Sequence, residues 1–190
     1  MSFFQLLSGS FGGAVMALAL KLCWDHRQRP RLKAELKQKG GYRSFPAQGG
    51  YPAKYLRLKV SNIGHSCVCK CKAYIVHVTK STGEEPFDEE ISPLLWSNAD
   101  LEMEIPRGVS LYLDVCSLHA EPDKPARLDP AVPKEKNRFE RFFEDRAQYE
   151  MTIVVAAENA EPLSRKVKFD FDPAQKDLTV QWDPRCCTGD

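Results

Sequence analysis

The sequence predicts a mainly β protein, an antiparallel β-sandwich preceded by a single N-terminal helix that spans a membrane. Three observations lead there. Phe3 to Leu20 is a run of eighteen residues without a formal charge. A basic stretch follows at once, with eight Lys or Arg between Lys21 and Arg43 against Asp25 and Glu35. Beyond residue 31, apolar and polar side chains alternate in short runs separated by Gly, Pro, Asn and Asp, the pattern of half-buried strands. The chain therefore divides into a helix at 1–24, a sandwich at 25–183 and a polar tail at 184–190.

The helix is read from length. A span needs about twenty apolar residues at 1.5 Å rise, and residues 3–24 supply them if Lys21 snorkels to the interface. Ser8, Gly9, Ser10, Gly12 and Gly13 dilute the apolar character, but small residues let helices approach closely in lipid. Gly9, Gly13 and Ala17 recur every four residues and form a face for homo-association. A cleaved signal peptide fits less well, because no basic region precedes the apolar run. An amphipathic helix lying on the bilayer and a helix packed on the sandwich are the other two readings. Positive charge after the run places the C-terminal domain in the cytoplasm of a single-pass protein. The near balance of 27 basic and 26 acidic residues, net +1, argues against a nucleic-acid binder.

The strands follow in order. Residues 31–37 alternate Leu32, Ala34 and Leu36 with charge. Residues 55–62 alternate Leu56, Leu58 and Val60 with Arg57, Lys59 and Ser61. The turn NIGHS, 62–66, uses Asn62 and Gly64 for backbone dihedrals that other residues avoid. Residues 67–80 form a long strand whose apolar parity shifts near Ala73, toward Tyr74, Val76 and Val78, as a β-bulge would make it. Residues 94–96 make a short edge strand with Trp96 as a plug between the sheets. Residues 108–115 make another strand. The run at 149–159 is the central strand, with Ile153 and Val154 both buried. Residues 165–172 turn Val167, Phe169 and Phe171 inward, and 177–183 form a last strand. The one helical turn is expected at 137–148, with Phe139, Phe142 and Phe143 on one face covering the core. Some seven strands joined by polar turns need two layers to bury their apolar faces, which makes the sandwich immunoglobulin-like.

The pieces RPRLKAEL, YLRLKVSNIGHSCVCKCKAYIVHV, LLWSNAD, IPRGVSLYLDV and YEMTIVVAAENAEP lie across residues 29–172. In these the chain resembles a group of uncharacterised prokaryotic proteins with an N-terminal membrane helix and one immunoglobulin-like domain. The resemblance implies that fold and brings no activity and no functional residue. The extra cysteines at 67 and 69 and the cysteine-paired tail depart from the pattern.

The chemistry-bearing residues are few. Seven cysteines is an odd count, and cytoplasmic placement keeps them as thiols. Cys67, Cys69 and Cys71 alternate along one strand and are expected on one face. A metal- or thiol-dependent activity of Cys67, Cys69, Cys71 and Cys116 is the alternative function. Zinc sites, however, draw their cysteines from tight knuckles rather than an extended strand. Cys186 and Cys187 sit in the tail without a prenylation box. His26, His65, His77 and His119 stand alone, and the pair Cys116 and His119 lacks an orienting group. Eight carboxylates without a Lys or Arg lie between Glu84 and Glu104. That segment reads as a solvated loop, or as a docking surface for a basic protein partner. The resulting expectation is a membrane-anchored binding or scaffolding module. It is held to the lipid bilayer by residues 3–24, and it has no catalytic residue, no cofactor and no metal.

Overall fold

The computed structural model describes residues 15–24, 27–36, 45–46, 52–82, 91–119, 126–133, 139 and 142–182. Eleven strands appear among them: β1 Leu32–Leu36, β2 Phe45–Pro46, β3 Pro52–Asn62, β4 Val68–Lys80, β5 Ser92–Leu94, β6 Met103–Ile105, β7 Ser110–His119, β8 Arg127–Pro130, β9 Ala147–Ala156, β10 Leu163–Asp172 and β11 Asp177–Trp182. They build two antiparallel sheets, ordered β1-β3-β7-β8 with β2 on β3, and β11-β10-β9-β4-β5 with β6 on β4. The chain passes from one sheet to the other after β3, after β6 and after β8.

The sandwich forms because alternation leaves each strand one apolar face. Leu56, Leu58 and Val60 of β3 and Leu113, Val115 and Leu118 of β7 face Ile75 of β4, Met151, Ile153 and Val155 of β9 and Val167, Phe169 and Phe171 of β10, all buried. At about 25 cal/mol per Å² of apolar surface this is the dominant stabilising term. Trp96 plugs the space between the layers. It is 1% exposed, bridges to Leu113 of one sheet, and donates its indole N–H to the Cys71 carbonyl of the other at 3.3 Å.

Several expectations need correction. The sequence reading was an immunoglobulin-like sandwich behind a membrane-spanning helix. Among the described residues the structure shows a two-sheet β-sandwich with helix at 15–24 and 27–28. No helix among the described residues is long and apolar enough to cross a membrane. Anchoring to the lipid bilayer through residues 3–24 is therefore withdrawn, and residues 3–14 lie outside the described residues. The single-pass topology and cytoplasmic placement rested on the span and lose their basis with it. So does homo-association through Gly9, Gly13 and Ala17, of which only Ala17 is described.

The parity shift of β4 comes later than predicted. Ala73 and Ile75 point inward, and the register slips between Ile75 and His77, after which Val78 and Lys80 are buried. A second irregularity separates Val68 from Cys71, with Lys70 at φ 49°. β7 carries a bulge of its own that buries Val115 and Cys116 side by side. Along β9 burial alternates, so Ile153 faces the core while Val154 is half-buried on the outer face. No helix appears among the described part of 137–148. Phe142 and Phe143 lie in a turn and pack with Tyr149, at ring separations of 5.8 Å and 4.9 Å. Tyr149 in turn stacks on Phe169 at 5.4 Å. The Tyr149 hydroxyl donates to the Asp145 carbonyl at 2.9 Å, and Lys80 reaches the Asp145 carboxylate at 2.6 Å, so this turn is pinned over the core.

Asn62 holds one end of the sandwich together. It is 1% exposed. Its side-chain oxygen accepts from the Gly64 N–H at 3.0 Å and, at 3.4 Å, from that of Arg31. Its amide donates to the carbonyls of Ser66 at 2.7 Å and Ile105 at 2.9 Å. Gly64 is not at positive φ, contrary to the expectation for this turn. It is required instead because the backbone of residues 29–31 passes directly over it.

Candidate functional site

The predicted cysteine cluster does not assemble. The irregularity at Cys69 and Lys70 separates the three strand cysteines: Cys71 turns into the core while Cys67 and Cys69 stay half-exposed. Cys116 is buried on the other sheet. Burial pushes the Cys71 thiol up to about 12. Burial, with the charges of Asp114 and Asp129, also raises that of Cys116. The Asn159 side chain clamps the other two, accepting from Cys69 N–H at 2.9 Å and donating to the Cys67 carbonyl at 2.8 Å. Burial, then the nearby Cys69 and Glu104, raise Cys67. Among the described residues no group of three His, Cys, Asp or Glu could hold a metal ion. The metal- or thiol-dependent alternative is withdrawn. Cys186 and Cys187 lie outside the described residues. In native protein treated with iodoacetamide near neutral pH, Cys23 is expected to be alkylated first and Cys71 and Cys116 to stay unmodified until denaturation, as read by peptide mass spectrometry. A thiol that stays protonated and covered is a poor nucleophile. Prompt labelling of Cys116 would show that β7 opens in the native state.

The acidic segment 84–104 is not one loop. It contains β5, the buried Trp96 and the start of β6. Glu84, Glu85, Asp88, Glu89 and Glu90 lie outside the described residues. Of the rest, Glu102 pairs with Lys72 at 3.0 Å and Asp100 accepts from the Asn98 amide at 2.5 Å. Two of the three described carboxylates are thus engaged locally, and the protein-docking reading of 84–104 has no support.

His65 and His77 are exposed. His119 and Cys116 point to opposite faces of β7, so the predicted pair is not formed. The structure instead sets Ser117 Oγ 2.9 Å from His119 Nε2, with Asp129 Oδ2 3.8 Å from the same nitrogen. In a nucleophile–base–carboxylate arrangement the acid holds the opposite ring nitrogen. Here the carboxylate competes with the serine instead of orienting the imidazole. Arg127 also takes up Asp129 at 2.7 Å. This is a polar surface cluster.

A concave site lies elsewhere, on the outer face where β9, β10 and β11 end. It is a recess of about 400 Å³ with Arg146, Gln148, Asp170, Asp172, Gln175 and Thr179 around it. Strand register builds it. Gln148 lies opposite Asp170, and Asp170 opposite Thr179, so one row of outward side chains crosses three strands. Phe169 and Phe171, which alternate with the two aspartates, face the core. Asp172 is fully engaged: one oxygen accepts from the N–H groups of Ala174 at 3.0 Å and Gln175 at 3.1 Å, and the other faces Arg146 at 3.2 Å. Asp170 accepts one bond per oxygen, from Gln148 at 3.1 Å and Gln181 at 3.4 Å. The alternation in RKVKFDFD places both aspartates on the outer face from sequence alone. That Gln148 joins them depends on register, which the sequence does not state.

No family model matches the chain, and no curated protein does. Among solved structures, the X-ray structure of Northeast Structural Genomics Consortium target SoR45 is 11% identical. The match covers 87% of this chain and 94% of that one, with a TM-score of 0.27. A likeness that distant carries no argument about this chain.

Proposed function

We propose that the β-sandwich is a non-catalytic binding domain that takes a small polar ligand into the recess at the ends of β9, β10 and β11. One observation carries this reading. Hydrogen-bonding side chains from three adjacent strands converge on a volume of about 400 Å³, and ligand sites commonly measure about 300–1,000 Å³. Sheet register and the Asp172 turn already fix the backbone that carries those side chains, which limits the ordering cost of binding. The lining is polar, so orientation by hydrogen bonds dominates over burial of apolar surface. Neither a membrane, nor the cysteines, nor the 84–104 segment enters this reading.

Amide-resolved NMR of the full chain, titrated with small polar compounds of positive, negative and zero charge, tests it. Shifts are expected at residues 146–148, 170–175 and 179, and Gln148→Ala is expected to weaken them about tenfold, the effect of losing one well-placed hydrogen bond. If no compound at millimolar concentration moved these resonances, the recess would not be a binding site.

A further inference from the structure

We infer that the ligand of the recess is a neutral, hydroxyl-rich molecule of the saccharide or cyclic polyol class. The inference rests on the reading of the recess as a binding site and narrows it by charge and hydrogen-bond count. Arg146 is the cation facing the recess, and Asp172 neutralises it at 3.2 Å. What remains charged is Asp170, so an anionic ligand would meet net negative charge. A divalent metal would want about six oxygen ligands, and no triad of acidic, His or Cys side chains is gathered among the described residues. An organic cation would suit the charge of Asp170, but it only donates and would leave the donor groups of Thr179 and Gln175 unmatched.

Asp170 has the capacity that a hydroxyl-bearing ligand uses. A carboxylate offers about four acceptor positions, and the protein fills two of them, one on each oxygen. One acceptor position on each oxygen therefore stays open to a hydroxyl donor. Around them stand groups that both donate and accept: the Thr179 hydroxyl and the Gln175 and Gln148 amides. A hydroxyl is itself donor and acceptor, so adjacent hydroxyls can satisfy Asp170 and the amides together. A ligand that only donates or only accepts leaves one set unmatched, and an unmatched desolvated polar group costs about 1–3 kcal/mol.

The test uses three kinds of probe on the full chain, each followed by amide NMR. Methyl-α-glucoside, methyl-α-galactoside and myo-inositol represent the proposed class, inorganic phosphate the anions, and putrescine the cations. At least one neutral polyol is expected to shift residues 146–148, 170–175 and 179. Asp170→Asn, which keeps the shape but removes charge and acceptor capacity, should weaken it at least about tenfold. Thr179→Val is the second variant if Asp170→Asn loses its dispersed spectrum, and a threefold or greater loss of affinity is expected on the order of one weak hydrogen bond. If phosphate or putrescine moved these resonances and all three polyols did not, the ligand class would be overturned while the recess remained a binding site. If no probe of any charge moved them, both readings would fail. If a polyol bound with equal affinity to wild type and Asp170→Asn, the assignment of Asp170 as the hydroxyl acceptor would be wrong.

Discussion

Gly64→Ala is expected to destabilise the domain by about 3 kcal/mol or more, at or beyond the upper end of the range for overpacking. The reason is steric and lies in the backbone. A Cβ at this position would stand 2.5 Å from the Arg29 carbonyl oxygen and 2.7 Å from the Pro30 carbonyl carbon, and closer still to the Arg31 nitrogen. None of these is the flexible end of a side chain. Relief requires lifting residues 29–31 away from the turn. That breaks the Ile63 N–H bond to the Arg31 carbonyl at 2.8 Å and the weaker Arg31 N–H contact with Asn62. It also pulls on β1, which starts one residue later. Gly108→Ala is the matched control. Gly108 has φ +73° but nothing within 4 Å of its Cβ position, so only the left-handed backbone penalty of about 1–2 kcal/mol applies. Urea denaturation should show a large fall in midpoint for Gly64→Ala and a smaller one for Gly108→Ala, with unchanged slope in both. Equal midpoints for Gly64→Ala and the parent would mean that residues 29–31 do not cross the turn as described.

The strands that the sequence reveals best are those with one buried face and no irregularity. β1, β3 and β10 alternate cleanly, and Leu58, Val60, Val167 and Phe169 fall where alternation puts them. β2, β6 and β8 are two to four residues long, too short for alternation to register, and β8 ends in a proline that argues against a strand. Bulges are harder still. One extra residue reverses which side chains are buried, so the parity of β4 was placed two residues early and Cys69 was assigned to the wrong company. Phe139, Phe142 and Phe143 stand at helical spacing, yet the same spacing serves a turn that closes over Tyr149. A charge-free run suggests a span, but absence of charge is not enough: the described helical turns carry Lys21, and no helix among the described residues is long and apolar enough to cross a membrane. At the recess, the outward aspartates were legible because β10 alternates. Gln148, which bonds Asp170, comes from a neighbouring strand 22 residues away in sequence, and nothing local encodes which residue lies opposite.

Ile153→Asp is expected to abolish cooperative folding, whereas Val154→Asp should cost only about 1 kcal/mol, the usual scale for a surface-facing strand substitution. The two residues are neighbours on β9 and differ only in the face they present. Ile153 is fully buried, opposite Ile75 of β4 and the half-buried Arg165 of β10. A carboxylate there must reach the Arg165 guanidinium or take up a proton, and its desolvation costs several kcal/mol in order of magnitude. That is a large fraction of the roughly 5–15 kcal/mol holding a domain of this size together. Val154 lies opposite Tyr74 and Ser164 on the outer face and is half-buried. An aspartate there loses a cross-strand apolar contact but keeps access to water. Thermal melts followed by circular dichroism separate the two: no sheet transition for Ile153→Asp, and a modest downward shift for Val154→Asp. A Val154→Asp protein as damaged as Ile153→Asp would mean that the outer face around Tyr74 and Val154 is covered in the folded protein. The six-stranded sheet would then be enclosed on both sides, and the recess at its end would be the margin of a larger covered surface.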